Sequence, residues 1–150
     1  MGDFHQSNRV IKEKYRRELF DHVTKQVRPE KFFALKTSDP QKFYLSFKNC
    51  VVPIINTEIQ RIEKNLTPTS DSHLILLKIS TLVDIILQAA FDSSIWLHNL
   101  TLQKQLHEKD IPIAIIARGG YGREEIYLQS NIDVQIISRK DQTEDTKQIV

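Results

Sequence analysis

Residues Ile113 to Lys140 read IAIIARGGYGREEIYLQSNIDVQIISRK, a stretch that holds three of the chain's four glycines, Gly119, Gly120 and Gly122. An apolar run, Ile113 to Ala117, precedes the glycines, and a second β-rich run ends at Ile137. Apolar runs bounded by turn residues predict buried strands. The order expected is strand, glycine turn, short helical segment, then a second strand carrying Asn131 and Asp133.

This order has a chemical logic. A tight turn after a strand presents backbone N–H groups at a helix start, where a phosphate can sit. Gly119 and Gly120 lack a Cβ, so a phosphate can approach the backbone closely. On a strand, residues 131 and 133 share a face. Two oxygen-bearing side chains beside a phosphate cradle suit Mg²⁺ and a nucleoside triphosphate.

The run Gly119-Gly120-Tyr121-Gly122-Arg123-Glu124-Glu125-Ile126, followed by Ser130-Asn131-Ile132-Asp133 and an aliphatic strand, resembles the PII-protein uridylyltransferase (uridylyl-removing) family. That family belongs to the DNA polymerase β-like nucleotidyltransferase superfamily, and its pattern is close to GGYGRxELxPxSDID. The helix-forming segment Ile79 to Leu87, with Val83-Asp84 at its centre, resembles the helix before that motif. The resemblance spans roughly residues 74 to 140.

The resemblance implies an α+β fold, a helical N-terminal region followed by the first strands of a nucleotidyltransferase-type mixed sheet. It implies transfer of UMP from UTP to a tyrosine hydroxyl of a PII-type signalling protein, with Mg²⁺ as cofactor. Nucleotide binding falls to Gly119, Gly120, Gly122, Arg123 and Ser130. The catalytic, metal-facing role falls to Asp133 and Asn131. By residue chemistry alone, Arg123 reads equally as a salt bridge holding the turn, Ser130 as a turn or cap residue, and Tyr121 as packing over the glycines.

Two positions depart from the family pattern. Asn131 stands where the family has an aspartate, and Leu128 where it has proline. An amide oxygen ligates Mg²⁺ more weakly than a carboxylate. The family also carries a third carboxylate on a later strand, expected to act as general base, and no room for it follows Lys140. The chain is therefore expected to be an N-terminal piece or a truncated relative, inactive in isolation. The alternative is an inactive remnant that serves as a binding or regulatory module. A helical interaction domain with a coincidental glycine turn is a third reading.

Composition sets the bounds. The 150 residues are 40% hydrophobic and 27% charged, enough apolar material for one core. Net charge is +2 with mixed signs, which gives no electrostatic footprint for nucleic acid. Cys50 is the single cysteine, so neither an internal disulfide nor a cysteine cluster can form. The first ten residues lack an apolar segment of the signal-peptide kind. The most apolar window, Leu74 to Ala90, contains Lys78 and Asp84 and reads as a buried helix rather than a membrane span. A cytoplasmic setting is expected. None of the five histidines makes a metal-ligand spacing, and all are read as structural or surface residues.

The organisation expected is a helical region, 1–72, then a long helix and the start of the motif-bearing domain, 73–150. A helix over residues 8–27 places Ile11, Tyr15, Leu19, Phe20, Val23 and Val27 on one stripe. Phe32, Phe33 and Leu35 anchor a loop or short helix. Asp39 and Pro40 mark an N-cap and first helical position, and Pro53 predicts a kink or break into two pieces near Val52. Leu66 to Ser72 is a polar linker. Asp71 or Ser72 caps a long helix running to about His107, with a weak point at Asp92-Ser93-Ser94.

Overall fold

The structure, a computed structural model, describes residues 2–26, 39–67, 69–127, 129–138 and 144–149. The expectations for Val27, Phe32, Phe33, Leu35 and Leu128 lie outside the described residues. The order is α1 (Gly2–Gln26), α2 (Pro40–Lys64), α3 (Ser72–Leu102), a 3₁₀ turn (Glu108–Asp110), β1 (Ile113–Ala117), α4 (Gly119–Gly122), β2 (Val134–Ser138) and α5 (Glu144–Ile149). The chain is mostly helical with a small antiparallel sheet, an α+β arrangement in the broad sense.

Helix α3 is the centre of the molecule, touching α1, α2 and α5. Its neighbours turn one stripe each toward it. On α1, Tyr15, Leu19 and Val23 recur every four residues and are buried, whereas Ile11 and Phe20 from the expected stripe remain exposed. On α2, Phe43, Val51 and Ile54 are buried in one cluster with Leu82 and Ile85 of α3, Phe43 stacking on Trp96. By length and composition α3 could cross a membrane. In the structure one face of it is packed, with Ser80, Thr81, Ser93 and His98 buried along it and Lys78 lying 5.6 Å from the Tyr15 ring centroid.

Local chemistry sets the helix ends. The Asp39 carboxylate accepts from the Gln41 N–H at 3.0 Å, and Pro40 fills the first helical position. Asp71 caps α3, accepting from the His73 and Leu74 N–H groups at 2.9 and 3.4 Å. Helix α3 stops at Leu102, short of the expected His107. Gln103 is left-handed (φ 52°), and the Asn99 side chain clamps the departing chain by donating to the Leu106 carbonyl and accepting from its N–H. The segment Asp92-Ser93-Ser94 stays helical.

Two further expectations are corrected. Pro53 does not divide α2, which runs unbroken from Pro40 to Lys64. Val51 and Ile54 on either side of the proline are both buried in one cluster with Leu82 and Ile85 of α3, and that shared packing keeps the helix continuous. The strands are not buried. Ile115, Ile116, Val134, Ile136 and Ile137 are each about two-fifths exposed, because two strands form the whole described sheet and the described helices leave these side chains half open. The two described strands pair antiparallel, with Ile115 opposite Ile136 and Ala117 opposite Val134.

Candidate functional site

The glycine turn is built by close backbone approach. Gly119 is left-handed (φ +57°), the region glycine adopts without a Cβ penalty. Helix α4 is a single turn, closed by Gly122 N–H donating to the Arg118 carbonyl at 2.9 Å and Glu125 N–H donating to the Gly120 carbonyl at 2.8 Å. A Cβ on Gly122 would stand 2.8 Å from the Ala117 carbonyl oxygen, so the turn lies directly over the end of β1. Glu124 follows in the left-handed region (φ 60°), as a residue just past a helix end often does.

Tyr121 anchors the turn. It is buried with Ile62 of α2, Ile79 of α3 and Ile126. Its hydroxyl donates to the Asp84 carboxylate of α3 at 2.6 Å. Burial foremost, and the Asp84 carboxylate next, push the phenol well above its ordinary value. On the other flank, Lys12 of α1 pairs with Glu124. The turn is thus tied to two helices that are distant in sequence.

Asn131 and Asp133 do not lie on the second strand as expected. β2 begins at Val134, and both residues belong to the extended approach to it. Asp133 is nevertheless in ladder-like position, its carbonyl accepting from the Arg118 N–H at 2.9 Å. This single bond aims its carboxylate at the turn. A Cβ on Gly119 would stand 2.8 Å from Asp133 Oδ2, and the nearest neighbours of that position are all Asp133 atoms.

The remaining expected residues divide as follows. Gly120 lies in the turn, with the Glu125 carbonyl 3.3 Å from where its Cβ would be. Arg123 donates from Nε to Glu125 at 2.6 Å, an exposed pair beside the turn. Ser130 accepts from the Tyr127 N–H at 3.1 Å and closes a local turn. Asn131 is exposed, and the contact with Gly119 is made by Asp133 rather than by it. Among the described residues no three His, Cys, Asp or Glu side chains converge as a metal cage. One carboxylate, with a nearby amide, fits Mg²⁺ only in its usual mode of sharing ligands with phosphates and water.

Sequence reasoning missed Asp84 and Lys12 as partners of the turn. Asp84 left a trace, a carboxylate inside an otherwise apolar helical run. Lys12 left none, since helix α1 carries many surface charges. No family model matches the chain, and neither a curated protein nor a solved structure does.

Proposed function

We propose that the glycine turn and Asp133 form a nucleoside triphosphate–Mg²⁺ site of nucleotidyltransferase type, with UTP as the nucleotide and a tyrosine of a PII-type protein as acceptor. One observation carries the reading: the Asp133 carboxylate lies against the Cα of a left-handed glycine. An uncompensated carboxylate there would repel a phosphate. A divalent cation between the two converts that repulsion into attraction and neutralises charge on the phosphates.

The roles follow from position. The Asp133 carboxylate covers Gly119 and the Glu125 carbonyl covers Gly120, so a phosphate meets this turn through the cation that Asp133 holds. Gly122 keeps the turn on β1. Arg123, exposed and two residues from its partner Glu125, can exchange that carboxylate for a phosphate oxygen. Asp133 faces the cation and Asn131 contributes a weaker oxygen. Ser130 shapes the approach to β2. A cytoplasmic setting belongs to the same proposal. A second reading, a binding module without turnover, is favoured specifically by Asn131, which lowers the negative charge available to hold a cation.

Calorimetric titration of UTP with and without Mg²⁺ tests the site on the chain, on Asp133→Asn and on Asn131→Asp. Asp133→Asn is expected to remove the Mg²⁺-dependent part of binding. Asn131→Asp is expected to tighten it by about 10-fold, the equivalent of ~1.4 kcal/mol. Equal titrations for all three folded proteins would refute the site. Binding without transfer to any tyrosine-bearing acceptor would select the second reading.

A further inference from the structure

At the far end of the α2–α3 pair from the glycine turn lies a half-open cavity of about 490 Å³, between the start of α2 and the end of α3. Its walls include Phe43 and Phe47 from α2 and Ala90, Ser93, Leu97 and His98 from α3. Ser93 is about 14 Å along α3 from Asp84, at 1.5 Å per residue, so the cavity is separate from the site proposed above. We infer that this cavity binds a small, neutral aromatic molecule carrying a hydrogen-bond acceptor.

The chemistry of the walls selects that class. The volume falls within the roughly 300–1,000 Å³ of small-molecule pockets. Phe43 is buried and stacked on Trp96, with ring centroids 5.7 Å apart and planes 22° apart. One aromatic wall is therefore fixed before any ligand arrives, which spares the entropy of ordering it. Among the described residues no carboxylate, ammonium or guanidinium lines the cavity. A cationic ligand would lose its hydration there without a counter-ion, and an anionic one would find only the His98 imidazole.

The acceptor requirement comes from the hydroxyls. Ser94 donates to the Ala90 carbonyl at 3.0 Å and Thr101 to the Leu97 carbonyl at 2.8 Å, so both are already engaged with their own helix. Ser93 is 2% exposed and its Oγ has no hydrogen-bond partner. A buried hydroxyl left unpaired is unfavourable. Ser93 lines the cavity, so an acceptor on a ligand seated there gives the hydroxyl a partner.

Three probes of similar size separate the terms: acetophenone (neutral, with an acceptor), ethylbenzene (neutral, without one) and benzoate (charged). Each is titrated into the full chain by ¹⁵N–¹H correlation spectroscopy. Trp96 is the single tryptophan, so its indole N–H gives one unambiguous signal beside the cavity. Acetophenone is expected to shift that signal and the Ser93 amide saturably, binding about 10-fold more tightly than either other probe. Ser93→Ala is expected to bring acetophenone to the level of ethylbenzene, while Ser94→Ala leaves the preference intact. Ala90→Leu, which fills the cavity, is expected to abolish all binding. No saturable shift, shifts away from Trp96, or a preference unchanged in Ser93→Ala would overturn the proposal. Equal binding of acetophenone and ethylbenzene would also overturn it and point to an apolar protein side chain as the occupant.

Discussion

A Cβ placed on Gly122 meets the carbonyl oxygen of Ala117 at 2.8 Å, and that oxygen belongs to the backbone of β1. A Cβ placed on Gly119 also meets an oxygen at 2.8 Å, but this one ends the Asp133 side chain. Backbone cannot yield without moving the strand, whereas a carboxylate can swing aside. Gly122→Ala is therefore expected to destabilise the fold by about 2–3 kcal/mol, at the upper end of ordinary single substitutions. Gly119→Ala adds left-handed strain of about 1–2 kcal/mol, and its larger effect is to push Asp133 off the turn. Urea unfolding should rank Gly122→Ala as the less stable of the two. Calorimetry should find Mg²⁺-dependent UTP binding lost in Gly119→Ala at temperatures where it remains folded. The glycines were legible in the sequence because spacing alone marks a turn. The contact with Asp133 was only half legible. Alternation placed residues 131 and 133 together on a strand, but β2 starts one residue after Asp133, and the Arg118–Asp133 backbone bond singles out the latter.

At the scale of elements, capping was the most readable signal and strand burial the least. Asp39 and Asp71 act through bonds to N–H groups two or three residues on, and Pro40 through its fixed φ, so their consequences lie in the sequence around them. Burial of β1 and β2 depends on what covers them, which no local pattern encodes. Pro53 lies between these cases. Its missing N–H and ring argue locally for a break, and packing of Val51 and Ile54 on α3 overrides the argument. Pro53 is itself exposed, so replacing it removes little contact. Pro53→Ala restores one helical hydrogen bond and relieves the ring clash, partly offset by the freer unfolded chain. The net expectation is a gain of about 1 kcal/mol, seen as a rise in melting temperature of roughly 2–4 °C for a chain of this size. A fall instead would mean that α2 needs the curvature proline imposes in order to follow α3.

Across the whole molecule, two tyrosines join elements that lie far apart in sequence, and they join them differently. Tyr121 fastens the glycine turn to α3 through the Asp84 carboxylate. Tyr15 fills the space between α1 and its neighbours, with its hydroxyl and Glu58 Oε2 both buried and unpaired. Burial, and then the nearby carboxylate, raise both phenols above the ordinary value of about 10. The folded chain thus keeps two protons that the unfolded chain begins to lose near pH 10. Below that pH the stabilisation is fully present. Above it the unfolded state binds fewer protons, and stability falls by at most about 1.4 kcal/mol per pH unit for each phenol. Urea midpoints between pH 8 and 11 should decline at the alkaline end, and each Tyr→Phe variant should flatten the decline by about one proton. The variants part company at pH 8. Tyr121→Phe loses a hydrogen bond to a charged acceptor, expected to cost about 1.5–3 kcal/mol. The Tyr15 hydroxyl faces the Glu58 carboxylate without a well-formed hydrogen bond, so Tyr15→Phe should cost less than Tyr121→Phe. A loss of comparable size in both would mean that Tyr15 holds a hydrogen bond in solution, with Glu58 the nearest acceptor charge to account for it.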